Sequence, residues 1–157
     1  MQAFLSENRK EEIKPKGKTK TILLVSKISS TDIIYFERDI ESVITTENEA
    51  DFAIHYRHDN MFSSIRKGDI LLIRLISQKK NSLEDGTVVL TFNNAHQKGD
   101  PAEVFSFFYR KPFFIFESDN PKYRPLLIEE NQFNKEVTII GKIVESRRDY
   151  NKAGDVD

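Results

Sequence analysis

Residues 55–75 read HYRHDNMFSSIRKGDILLIRL, and they decide the fold. Upstream, Phe52, Ile54 and Tyr56 alternate with Ala53, His55 and Arg57, the period-2 pattern of a half-buried strand. The chain then meets a polar corner, His58-Asp59-Asn60, where Asp59 or Asn60 can cap a short helical turn over Met61 to Arg66. Lys67-Gly68-Asp69 is a turn. Ile70 to Ile76 is a nearly continuous apolar strand broken only by Arg74.

Working outward, most segments read as β. Ile22 to Val25 and Ile33 to Phe36 are strands joined through Ser29-Ser30-Thr31-Asp32, and Glu41 to Thr46 is ambiguous. Asp85-Gly86 turns the chain into Thr87 to Phe92. A polar loop leads to Val104 to Tyr109, and Arg110-Lys111-Pro112 turns into Phe113 to Phe116. Leu126 to Ile128 is a short strand and Val137 to Glu145 the last one. Residues 1–20 read as a flexible basic linker or tail, because Lys14, Lys16, Lys18 and Lys20 alternate with Pro15, Gly17 and Thr19. The domain spans 21–149, and 150–157 is a frayed tail.

The composition excludes several classes. With 157 residues, 38% hydrophobic and 31% charged, the chain suits one soluble domain with a real core. There is no cysteine, hence no disulfide and no thiolate metal site, which fits a reducing cytoplasm. No apolar run is long enough to span a bilayer, and the first residues lack a secretion signal. A formal net charge of −1 argues against a body that binds nucleic acid by charge.

Four segments, in order, resemble the LexA/UmuD family of self-cleaving repressors and polymerase subunits, which share a serine–lysine peptidase fold. The family pattern Gly-Asp-Ser-Met, followed by a Gly-Asp turn, is met here by His58-Asp59-Asn60-Met61 and Lys67-Gly68-Asp69. Glu84 to Val89 matches the Asp-Gly turn and strand that follow. Ser118-Asp119-Asn120-Pro121 with Tyr123 and Pro125 matches the most specific family segment. Val137 to Val144 matches the closing strand around Ile-Ile-Gly. The resemblance covers about 52–146 and implies a mostly β, LexA-like or signal-peptidase-like fold of coiled β-sheets with one short helical turn.

The resemblance also locates the chemistry, which is altered. The family's serine nucleophile corresponds to Asn60, whose carboxamide cannot be activated by a base as a hydroxyl can. The family's buried lysine, which takes the serine's proton, corresponds to Phe105. Lys98 and Lys111 lie in flanking turns, where an amine would be solvated and protonated. The small pair that relatives cleave corresponds to a degenerate loop at Ser29 and Ser30. No catalytic residue is therefore assigned.

Other candidates have blander readings. Ser63 and Ser64 lie one turn past Asn60 and could be displaced nucleophiles, but no base accompanies them, and surface serines are the simpler reading. His55 and His58 would point to opposite faces of a strand, with His96 in a remote loop, so no metal is expected. The Phe-rich run Val104 to Phe116 is either core or a sticky strip, with core favoured. Asn60 reads first as a turn cap, second as a polar plug.

The expected function is non-catalytic: a LexA-like regulatory and self-association domain of a phage-type or stress-response transcriptional repressor. No cofactor is implied. The expected partners are a second copy in a homodimer, pairing through the strand of Ile140, Lys142 and Val144, and a regulatory protein. DNA would be met only through a head domain outside this chain, and no membrane is involved. Two alternatives stand beside it: a UmuD-like accessory subunit of a DNA polymerase, and an autocleaving peptidase with a displaced nucleophile.

Overall fold

The computed structural model describes residues 19–26, 28, 40–62, 64–76, 83–94, 102–133 and 135–148. The linker over 1–18, the loop with Ser29 and Ser30, the strand expected at Ile33 to Phe36, Ser63, and the tail from 149 lie outside the described residues. Among the described residues nine strands form one open, mixed sheet: β1 Lys20–Val25, β2 Ile40–Thr46, β3 Phe52–His55, β4 Ile70–Leu75, β5 Thr87–Asn93, β6 Ala102–Arg110, β7 Phe113–Glu117, β8 Leu126–Glu129 and β9 Val137–Arg147. Their spatial order is β2-β1-β3-β4-β9-β5-β6-β7-β8. Only β1 and β3 pair in parallel; every other neighbour is antiparallel.

Side chains alternate across a strand, and that alternation shows how the sheet wraps. In β4, Leu71 and Ile73 enter one cluster with Val25, Phe52, Ile54, Leu90, Val104 and Ile140. Leu72, between them, enters a second cluster on the opposite face with Ile22, Leu24 and Ala53. In β5 and β6, Leu90 and Val104 join the first cluster, whereas Val89, Phe105 and Phe107 join a third with Phe114, Phe116 and Phe133. One face of six strands thus packs on itself, so the sheet curls around the first cluster and carries the other two outside.

One expectation needs correction, one ambiguity is resolved and one feature is present as expected. Phe52 to Tyr56 was to be a half-buried strand, yet every residue of β3 is buried, because it lies between β1 and β4 with apolar clusters on both faces. The ambiguous Glu41 to Thr46 belongs to β2, a largely exposed edge strand whose outward side chains hide the alternation. The short helical turn expected after Asn60 is present as a hydrogen-bonded turn, Ile65 N–H to Met61 C=O at 2.7 Å, that does not continue as a helix. Among the described residues the one helical element is a 3-10 turn at Glu130–Gln132.

The Phe-rich run divides by face. Phe105, Phe107, Phe114 and Phe116 are buried, with Phe107 set edge-on to Phe116 at 5.8 Å between ring centres and Phe105 likewise at 5.9 Å. Such pairs add about 0.5–1.5 kcal/mol beyond simple burial. Phe108, Phe113 and Ile115 on the other face are half-buried.

Candidate functional site

The corner after β3 is built by its own backbone. The Tyr56 N–H donates to the Asp69 carbonyl and the Gly68 N–H to the Tyr56 carbonyl, each at 2.8 Å, so residues 56–69 close on themselves. Gly68 has φ of 94°, a conformation that a side chain disfavours. Buried Asp69 accepts from the Arg66 N–H at 3.0 Å and meets Arg148 Nε at 3.1 Å. The Gly-Asp pair in this part of the sequence therefore shapes the corner.

The corner docks on β6 through two side chains. β7 covers β6 only from Ser106 onward, leaving the first residues of β6 without a strand on that side among the described residues. His58 Nε2 lies 3.1 Å from the Ala102 carbonyl, and Asn60 Nδ2 donates to the Val104 carbonyl at 2.7 Å. A carbonyl only accepts, so Nε2 carries the hydrogen. His58 and Asn60 thus satisfy alternate carbonyls of β6, as a neighbouring strand would.

Every polar atom of the Asn60 side chain is engaged by the protein. Oδ1 accepts from the Tyr56 hydroxyl at 2.7 Å, and Nδ2 also reaches Ser118 Oγ at 3.2 Å. The Tyr56 hydroxyl in turn accepts the Met61 N–H at 2.7 Å. Burial pushes the Tyr56 phenol well above its usual range, keeping it the donor that Asn60 needs. The cap expected of Asn60 is therefore not what the side chain does: it faces inward as a polar plug, because Tyr56 and the Val104 carbonyl offer buried partners that a cap at a solvated turn lacks.

Ser118-Asp119-Asn120-Pro121 clamps the same corner. The Asn120 N–H donates to the Asn60 carbonyl at 3.0 Å and Asn120 Nδ2 to the Asp59 carbonyl at 2.9 Å. Ser64 Oγ donates to Asp119, and the Tyr123 hydroxyl donates to Asp59. That hydroxyl, and then Lys122 with its ammonium 3.7 Å away, hold the Asp59 carboxyl below its ordinary value. The same bond raises the Tyr123 phenol.

A cavity of about 270 Å³ opens beside this clamp, lined by His58, Asn60, Asn93, Glu103, Phe105, Ser118, Tyr123, Arg124 and Leu126. Asn60 and Phe105, from elements 44 or more residues apart, thus meet at one cavity, and among the described residues no lysine lines it. Ser118 supplies a hydroxyl there, and its Oγ accepts from Asn60 Nδ2 at 3.2 Å. Ser64 is exposed and tied to Asp119. His55 is buried with Nδ1 3.2 Å from Glu41, and among the described residues no group of His, Cys, Asp and Glu is placed to hold a metal ion. No helix among them is long and apolar enough to cross a membrane.

The strand expected to self-associate, β9, has two different halves. Ile140 is buried in the first cluster, and Lys142 lies between Val89 of β5 and Arg74 of β4. Among the described residues the pairing beyond Lys142 is with β4 alone, so half-buried Val144 sits where β9 has one edge open to them. Sequence reasoning missed Tyr56, Val104 and Ser118 as partners of Asn60; only the tyrosine four residues before it hinted at the contact.

No curated protein matches the chain. The family model described as Peptidase S24-like matches residues 20–144, which takes in β1 to most of β9, the corner at Asn60 and the clamp at Ser118 to Pro121. The chain belongs to the Peptidase S24-like family.

Proposed function

We propose that this chain is a non-catalytic member of its family, a LexA-like regulatory and self-association domain of a phage-type or stress-response transcriptional repressor. The observation that carries this reading is the state of Asn60. A nucleophile must offer an atom to the cavity, whereas the Asn60 amide donates to Val104 and Ser118 and accepts from Tyr56. Phe105 stands at the cavity in the position that the resemblance assigns to the lysine, and a phenyl ring can take no proton.

Self-association is the other half of the reading. Among the described residues the outer half of β9 pairs on one side only at Val144, and two such edges can pair across a two-fold axis. A dimer so formed would couple two DNA-binding heads through their effective concentration, with DNA met only by heads outside this chain. Release would then depend on a regulatory protein partner instead of self-cleavage. Sedimentation over a concentration series tests this: the wild type should dimerise, and Val144→Lys should weaken the dimer by about tenfold or more. Equal association of the two would refute pairing through β9.

A further inference from the structure

Among the described residues the sheet ends at β8, whose outer edge carries no strand. Its register pairs Phe114 with Ile128 and Phe116 with Leu126, and the Glu130 N–H bonds the Pro112 carbonyl at 2.8 Å. Antiparallel residue pairs alternate between those that exchange hydrogen bonds and those that do not. The bond at 112 and 130 therefore makes 114/128 and 116/126 the bonded pairs. The N–H and C=O groups of Leu127 and Glu129 must then point outward. Leu127 is also the most exposed large apolar side chain among the described residues, at 59%, with Leu126 beside it at 37%.

We propose that a second copy of this chain pairs antiparallel with β8 across a two-fold axis at Leu127. The strip is self-complementary. It begins with Lys122 and Arg124 and ends with Glu129 and Glu130, all exposed, so reversing a copy sets basic against acidic. With Leu127 opposite itself, the two Leu127 residues exchange two main-chain hydrogen bonds. Each Glu129 N–H reaches the other copy's Pro125 carbonyl, and Arg124 stands opposite the other copy's Glu130. Leu126 lands beside the other copy's Ile128, which is 2% exposed and belongs to the phenylalanine cluster, so that cluster runs on across the axis. A register two residues longer would instead oppose Leu127 to Glu129 and Arg124 to Gln132, losing both matches.

This surface is independent of the one at β9, which lies four strands away in the sheet. It also adjoins the cavity, since Tyr123, Arg124 and Leu126 form part of the cavity wall.

The chain has no cysteine, so one introduced thiol reports cleanly. Across a bonded antiparallel pair the Cα atoms are about 5.5 Å apart, within disulfide range. Leu127→Cys should form a covalent dimer under mild oxidation, while Lys111→Cys, in an exposed turn, should remain largely monomeric. In sedimentation, Arg124→Glu should weaken association by about tenfold or more, and adding Glu130→Arg should restore it. Both measurements are made in the wild type and in Val144→Lys, whose long stem keeps the new charge in solvent, so pairing at β9 cannot mask the result. Cross-linking of Leu127→Cys no faster than Lys111→Cys, or no rescue by the charge exchange, overturns the proposal.

Discussion

Replacing Asn60 by aspartate changes one atom's chemistry and almost no volume, so it tests the inward amide directly. Nδ2, now a donor to the Val104 carbonyl at 2.7 Å and to Ser118 Oγ at 3.2 Å, becomes a carboxylate oxygen. The Ser118 hydroxyl can rotate and donate to it, and the Tyr56 hydroxyl can still donate to the other oxygen. The Val104 carbonyl can only accept. Two acceptors would then face each other in a buried place, and Asn60 is 7% exposed. An unsatisfied buried group costs about 1–3 kcal/mol and more when charged, so Asn60→Asp should cost roughly 3 kcal/mol at neutral pH. Protonation repairs the contact, because a carboxylic acid can donate to Val104. The folded-state pKa of the new carboxyl must therefore rise, by about 2 units for 3 kcal/mol, to roughly 6. A pKa raised on folding gives stability that is complete below the unfolded value and lost as pH rises through the folded one. Urea denaturation of both proteins between about pH 4 and pH 8 should thus show a gap that is small in acid and widens toward neutrality, with unchanged m values. A gap under about 0.5 kcal/mol at every pH would refute the inward-facing amide.

Three other outcomes follow from the same geometry. Tyr56→Phe removes the donor to Asn60 and strands the buried Met61 N–H, so it should lower stability by about 2 kcal/mol in denaturant titration, and a neutral substitution would contradict the network. In β9, a Cβ on Gly141 would stand 2.4 Å from the Arg74 carbonyl oxygen, so Gly141→Ala should force β4 and β9 apart and cost roughly 2–4 kcal/mol, read as a fall in thermal midpoint. Acid should also unfold the protein. Asp59 is held low by Tyr123, Asp85 by the Tyr109 N–H and then Arg110, and Glu145 by Arg147. Carboxyls depressed on folding stabilise fully above their ordinary values of 3.8 and 4.5, and that help fades as pH falls through the lower folded values. The thermal midpoint should therefore drop chiefly below about pH 4, and Asp85→Asn should flatten that limb.

Much of the fold was legible because local signals agreed with it. The Asp85-Gly86 turn could be read from two residues: Gly86 has φ of 90°, and its N–H reaches the Phe107 carbonyl at 2.7 Å. The glycine in Ile139-Ile140-Gly141 marked a close backbone approach, which the Arg74 carbonyl provides. What stayed illegible depends on distant contacts. Asn60 reads as a cap from its neighbours alone, because a polar residue before a turn is a cap in most settings. Its true acceptor is a carbonyl 44 residues on, left open because β7 stops short of it. The exposed β2 was ambiguous for the opposite reason: with most of its side chains in solvent, burial imposes little pattern. Ser118 to Pro121 could be recognised as a motif before its purpose was visible, which is to hold the corner that carries Asn60.

We propose that this peptidase scaffold cuts no peptide bond of its own. Its most direct test is the intact mass of the purified chain after prolonged incubation at raised pH, alone and with an activated RecA filament. One unchanged mass is expected under both conditions. Two fragments whose masses sum to the whole plus one water, with the new ends near Ser29 and Ser30, would contradict it.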